Sequence, residues 1–188
     1  LAPAESAPPV RALLSIVTDE PVLCLLIGAA LTWAAHSSVA TVLLVMSLAY
    51  SDFVTPVAAL ALVLGANIGS AINPVLESGS AANPASRRLP IGNLLIRLAG
   101  AIAVLPFLSQ VTALLLKLEP DPSRLTADFH TAFNLALAIV FILPLDGIAW
   151  ALTKMLPEQQ KAADISTPLY LDESAISAPT VALACAAR

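Results

Sequence analysis

Four stretches of the chain contain no Asp, Glu, Lys or Arg: residues 21–51, 53–76, 98–116 and 129–145, which are 31, 24, 19 and 17 residues long. A helix needs about 20 mostly apolar residues to cross the hydrocarbon of a bilayer, so the pattern predicts three to five membrane segments. The first run is too long for one upright helix. It would measure about 46 Å at about 1.5 Å per residue, against a core of about 30 Å. The polar triplet His36, Ser37, Ser38 sits in its middle. Two half-helices, 21–35 and 40–50, separated at residues 36–39, fit better. Each spans about half the bilayer, so the pair dips in and returns on the same side. Pro21 is well placed to open the first of them.

Further along, "YSDF" (50–53) reads as a polar turn. An apolar segment, 54–64, is followed by "GANIGSAINP" (65–74), a second polar, glycine-bearing interruption, and Glu77 ends the run. Residues 77–88 read as a loop and 89–108 as a helix with Pro106 near its end. Residues 117–125 form a turn-rich connection and 129–152 the last span, which "LPLDG" (143–147) kinks or marks as interfacial. Residues 1–20 read as a Pro/Ala/Ser-rich linker and a short surface segment, 21–156 as the membrane region, and 157–188 as a polar linker and the start of another helix. The first residues carry neither Met nor the basic n-region of a signal peptide, so the expectation is a piece of a longer polypeptide.

Composition agrees with lipid as the main solvent: 58% of residues are hydrophobic and 12% charged, at a mean hydropathy of +0.86. Soluble domains carry about twice that share of charge. The net charge of −4, with no basic stripe, argues against nucleic acid as a partner. Cys24 lies in the first apolar run and Cys185 in the tail, too far apart to be expected as a disulfide. Arg87, Arg88, Lys154 and Lys161 outweigh Lys117 and Arg124 across the last two spans, which puts the tail in the cytoplasm.

Polar backbone at membrane depth survives only where protein or a water-filled cavity satisfies it. A broken helix frees carbonyls for a cation and N–H groups for an anion. Ser37 and Ser38 add hydroxyls that serve either. Their alternative is back-bonding to the preceding turn of an unbroken helix. Gly65 and Gly69 form a GxxxG packing face, or let the backbone approach an ion beside Asn67, Ser70 and Asn73. His130 and Asn134 share a helix face at i and i+4, as do Asn93 and Arg97. The first pair satisfies itself or serves a site. Arg97 snorkels or pairs, because an unpaired charge at the midplane costs at least about 2.5 kcal/mol.

"HSSVA" (36–40), "GANIGSA" (65–71) and "FHTAFN" (129–134), in that order, resemble the bacterial sodium-dependent phosphate cotransporter family, whose members carry "QSSSA", "GANIGTT" and a His-Thr-x-Phe-Asn segment. The resemblance covers about one of that family's two inverted repeats. It implies an all-α membrane protein in the cell membrane: a re-entrant helical hairpin plus transmembrane helices, one half of an inverted-repeat transporter. The tail resembles the link into a cytoplasmic PhoU-like helical domain. The implied ligands are sodium and inorganic phosphate near the break, bound by His36, Ser37, Ser38, Asn67 and Ser70, with sodium on Ser37 and Ser38. Gly65, Gly69, Asn73, Asn93, His130, Thr131 and Asn134 support them. No other cofactor is implied, and the missing first repeat of the same polypeptide is the implied partner. His36 replaces the family's Gln and Val39 its third Ser, which removes an amide carbonyl and a hydroxyl from the sodium set.

The mechanism implied is sodium-coupled symport by alternating access, not enzymatic. An anion alone moves against the membrane potential at about 2.3 kcal/mol per charge per 100 mV, which gives cation coupling a physical reason. Two other classes remain. An intramembrane hydrolase would use Ser37 or Ser38 with His130 or His36, although no GxSxG elbow surrounds either serine. A membrane-anchored regulator of phosphate signalling would bind a partner through the tail.

Overall fold

A computed structural model of the chain describes residues 20–80 and 83–158, together with Thr180 and Leu183. Among the described residues the regular structure is helical, without strands. The expectations for the linker at 1–19 and for the tail lie outside the described residues, apart from the helical state of Thr180 and Leu183.

The long first run is two helices, α1 (Pro21–Ala35) and α2 (Ser38–Tyr50). Pro21 stands in the first turn of α1, where its missing N–H costs nothing. The chain turns at His36, whose φ of 52° and ψ of 23° are left-handed, and at Ser37, which is extended. The expected break is present, and narrower than residues 36–39: Ser38 and Val39 already belong to α2. With 15 and 13 residues, the half-helices measure about 22 and 20 Å, about two-thirds rather than half of a 30 Å core.

A turn containing Asp52 (φ 56°) leads to α3 (Pro56–Glu77), which Thr55 caps by accepting from the Ala58 N–H. The "GANIGSAINP" stretch does not interrupt it. α3 runs unbroken through both glycines and through Pro74, in its last turns. The amide of Asn67, which suggested an interruption, bonds back to the helix: Nδ2 donates to the Val63 carbonyl at 2.9 Å. The glycines serve close packing. A Cβ built at Gly65 would land on the Leu25 carbonyl oxygen, and one at Gly69 on that of Ala29. On α1, Gly28 meets the Leu62 carbonyl in the same way. α1 therefore lies parallel to α3 with the two backbones in direct contact, as small-residue packing in membranes allows.

α4 (Arg88–Val104) follows two short 3-10 turns. A 3-10 turn at Leu105–Phe107, set by Pro106, joins it to α5 (Leu108–Leu115), so the apolar helical stretch is Pro84–Leu115. α6 (Pro122–Ile142) starts seven residues before the expected 129, because Asp121 caps it by accepting from the Ser123 and Arg124 N–H groups. It also ends earlier. Pro144 separates it from α7 (Leu145–Met155) within the "LPLDG" stretch.

α3 is the central post. Ala58 to Leu64 are all buried, as expected of a helix that is apolar all round and covered on every side. α1, α2, α4, α5 and α6 pack around it. The outer helices are open: only 17% of the apolar window in Pro84–Leu115 and 22% of that in Pro122–Ile142 is buried. Leu26, Leu43, Ile102, Leu135 and Ile139 face outward. So much exposed apolar surface fits lipid or a further membrane segment, not water. The protein is an all-α membrane protein.

Candidate functional site

The residues singled out in the sequence fall into two groups on opposite faces of α3. Gly65 and Asn67 are two residues apart, roughly 200° around a helix. Gly65, Gly69 and Asn73 face α1, whereas Asn67 faces α4 and α6.

The first group is the break. Ser37 caps α2: its Oγ accepts from the Ala40 N–H at 3.2 Å. Thr32 Oγ1 donates to Thr41 Oγ1 at 2.8 Å, and Thr41 Oγ1 donates to the Ser37 carbonyl at 3.3 Å. This relay ties the end of α1 to the start of α2, and both threonines are buried. Asn73 Nδ2 donates to the Trp33 carbonyl at 3.4 Å. That carbonyl is one of the last four of α1, which the helix itself leaves open. His36 is exposed, and Ser37 and Ser38 are half-buried. The break is level with Asn73, about two turns along α3 from Asn67.

The second group is a polar cluster at the middle of α3. Asn67 is fully buried. Its Oδ1 accepts from Arg97 Nη1 at 2.8 Å and from Asn134 Nδ2 at 2.8 Å. Its Nδ2, besides donating to Val63, lies 3.4 Å from His130 Nδ1. A neutral His130 with its ring proton on Nε2 can accept the second amide hydrogen through Nδ1. Arg97 Nε donates to Asn93 Oδ1 at 3.1 Å, and Nη1 reaches the Asn67 carbonyl at 3.4 Å. Asn134 Nδ2 also donates to the His130 carbonyl at 2.8 Å. Ser70 turns its hydroxyl to the Asn67 carbonyl at 3.0 Å.

The structure thus brings Asn67, Asn93, His130 and Asn134 together, with Ser70 alongside. Thr131 stays apart: it is exposed and donates to the Ala127 carbonyl of its own helix. Arg97, Thr32 and Thr41 are the residues that sequence reasoning left out of the site. The i, i+4 spacing of Asn93 and Arg97, repeated by His130 and Asn134, was the available signal. Arg97 pairs, as one of its two expectations had it, but with neutral amide oxygens. Among the described residues no carboxylate lies within salt-bridge distance of it. Arg97 borders a cleft of about 320 Å³ between α4 and α6, which Asn93 and Asn134 also line.

Across residues 5–119 the chain matches the sequence profile of the Na+/Pi-cotransporter family. The chain belongs to that family. A protein of Escherichia coli (strain K12) whose name, YjbB, carries a provisional assignment to inorganic phosphate export is 34% identical over 186 residues, 99% of this chain. The Salmonella typhimurium protein of that name is equally similar. The chain spans about a third of the length of either, 34%. A Bacillus subtilis protein of uncharacterized function, YqeW, is 33% identical over 140 residues, 74% of this chain and 45% of its own length. No solved structure matches the chain significantly. The family is described by Na+/Pi cotransport, and the name of the two enterobacterial relatives by inorganic phosphate export. In this family member the "GANIG" segment is a continuous helix with one face for packing and one for polar contacts.

Proposed function

We propose that the chain supplies one half of a sodium-coupled phosphate transporter that works by alternating access. The observation that carries this reading is the helix break at His36–Ser37. Asn73 holds the Trp33 carbonyl and Ser37 Oγ the Ala40 N–H, while the other end carbonyls of α1 and the N–H groups of Ser38 and Val39 lie beyond the helix ladders within an otherwise apolar hairpin. Sodium fits the break, where Ser37 and Ser38 add hydroxyl oxygens to carbonyl dipoles. The polar cluster around Asn67 fits the anion's side. The other half of the site comes from the rest of the polypeptide, in keeping with the chain's share of its relatives' length. Lys and Arg placement puts the tail in the cytoplasm. The hydroxyl of Ser37 caps α2, and His130 Nδ1 faces Asn67, so hydrolysis gains no support from these contacts.

The test is labelled-phosphate flux through the full polypeptide in sealed vesicles, with sodium or potassium outside. Flux is expected to follow sodium. The Ser37→Ala/Ser38→Ala double substitution is expected to lower it roughly tenfold or more, at about 1 kcal/mol for each lost hydroxyl contact. Phosphate flux equal in the two salts would overturn sodium coupling. Absence of phosphate flux in the unsubstituted protein would overturn the reading itself.

A further inference from the structure

The cluster around Asn67 has more hydrogen-bonding capacity than it uses. Arg97 spends Nε on Asn93 and Nη1 on Asn67, while Nη2 carries no hydrogen bond among the described residues. Asn93 uses its Oδ1 on Arg97, which leaves the two hydrogens of Nδ2. Asn134 uses both hydrogens of Nδ2, on Asn67 and on the His130 carbonyl, which leaves Oδ1 as an acceptor. None of these three atoms is sealed in the interior without a partner. All three residues line the cleft between α4 and α6, whose other walls are Ile96, Leu137, Ala138, Phe141, Ile142 and Leu145. The cleft therefore offers one guanidinium edge, one amide donor and one amide acceptor against apolar walls. Its volume, about 320 Å³, exceeds that of a single tetrahedral oxyanion.

The charge balance points the same way. Arg97 lies in the middle of the helical stretch Pro84–Leu115, and its fixed partners are neutral. A guanidinium at membrane depth is expensive and marks an ion pathway when it faces a cavity. Arginine's planar fork suits oxyanions, and a bond to a charged group is the stronger for being out of water. Asn134 Oδ1 then discriminates. It can accept a hydrogen bond from an oxyanion that keeps a proton and repels one that has none. Near neutral pH inorganic phosphate keeps at least one P–OH hydrogen, and sulfate keeps none.

We infer that Arg97, Asn93 and Asn134 form an oxyanion subsite in the α4–α6 cleft that takes protonated phosphate and rejects sulfate. Arg97 Nη2 and Asn93 Nδ2 donate to phosphate oxygens, and Asn134 Oδ1 accepts from its hydroxyl. Asn67 is the positioning residue: its Oδ1 holds Arg97 and Asn134 in register from opposite sides. This inference rests on the proposed phosphate reading and adds to it where the anion is held and how it is chosen.

The experiment uses the full polypeptide in vesicles and two readouts. In the first, Arg97→Gln is expected to raise the KM for labelled phosphate about 10- to 100-fold, the range for losing a hydrogen bond to a charged group. Arg97→Lys restores charge without the fork and is expected to recover only part of it. Sulfate is expected to compete at least about 10-fold more weakly than phosphate, the scale of one lost hydrogen bond to a charged group. The second readout leaves the polar groups in place. In Ala138→Cys, phosphate is expected to slow labelling of the new thiol by a small hydrophilic thiol reagent, and sulfate at equal concentration is not. Should Arg97→Gln fail to fold, the labelling result decides. Phosphate transport with an unchanged KM in Arg97→Gln, or labelling of the Ala138→Cys protein at the same rate with and without phosphate, overturns the subsite alone. Equal protection by sulfate overturns the role of Asn134. Absence of phosphate flux in the unsubstituted protein overturns the parent reading instead.

Discussion

Replacing Asn67 by leucine is expected to destabilise the protein by ~2–3 kcal/mol, the range for losing a hydrogen bond to a charged group. Leucine keeps asparagine's branching at Cγ but removes every polar atom, so the loss of hydrogen bonds leads the effect. Asn67 Oδ1 is the acceptor for both Arg97 and Asn134, and its Nδ2 closes on Val63 and His130. Without the amide, the guanidinium keeps Asn93 Oδ1 and a long contact to a backbone carbonyl, in a helix bordered by lipid. Asn134 loses one of its two acceptors at the same time. Thermal unfolding of the full polypeptide in detergent, compared with that of the Ser70→Ala protein, checks this. The Ser70 hydroxyl donates to the backbone carbonyl of Asn67, so its removal is expected to cost about 1 kcal/mol. Equal losses in the two proteins would mean that Asn67 is an ordinary buried amide.

The second large effect belongs to the other face of α3. Gly65→Leu is expected to cost more than ~3 kcal/mol, above the usual overpacking range, because the obstacle is backbone and not a side chain that can turn aside. A Cβ at Gly65 would meet the Leu25 carbonyl oxygen and stand 2.8 Å from the Ala29 nitrogen. α1 would have to move off α3, and Gly28 and Gly69 would lose the approach they share with it. The control is Gly79→Ala, where an added Cβ meets nothing within 4 Å and the change is expected to stay within about 0.5 kcal/mol. The yield of folded protein after detergent extraction, followed by its melting temperature, separates the two.

These two faces show what the chain's pattern could and could not reveal. The break at His36–Ser37 was legible because a length argument applied: 31 uncharged residues exceed the bilayer, and polar side chains marked where the excess is taken up. The apolar spans were legible for the same reason. The "GANIG" stretch misled because glycine and asparagine are weak helix formers judged locally. Here tertiary contact overrides propensity, since the glycines admit α1 and Asn67 returns a hydrogen bond to its own helix. Periodicity alone could have separated Gly65 and Gly69 from Asn67, as they point to different sides of an unbroken helix.

The boundaries of α6 were less legible than its existence. Its apolar pattern starts near Phe129, but the cap is Asp121, eight residues earlier and inside a stretch that reads as a turn. Within the site, Asn93, His130 and Asn134 were identified through spacing. Arg97 shared that spacing but was read as a cost to be offset, because its partner Asn67 lies 30 positions earlier on another helix. Long-range pairing of this kind is set by how α3, α4 and α6 pack, which no local pattern encodes. Thr32 and Thr41 were obscured similarly: each looks like an ordinary membrane threonine until the turn at His36 brings them within 2.8 Å.

Ion binding at the hairpin requires the backbone to open between α1 and α2 where water and ions reach it. Amide hydrogen exchange across residues 21–50, measured on the full polypeptide in lipid nanodiscs, tests this most directly. The N–H groups of Ser37, Ser38 and Val39, which precede the first ladder bonds of α2, are expected to exchange far faster than those of Ala29–Trp33 or Val42–Ser47. Uniform protection from the first turn of α1 through Tyr50 would mean a continuous helix, and the proposed ion site would have no backbone to stand on.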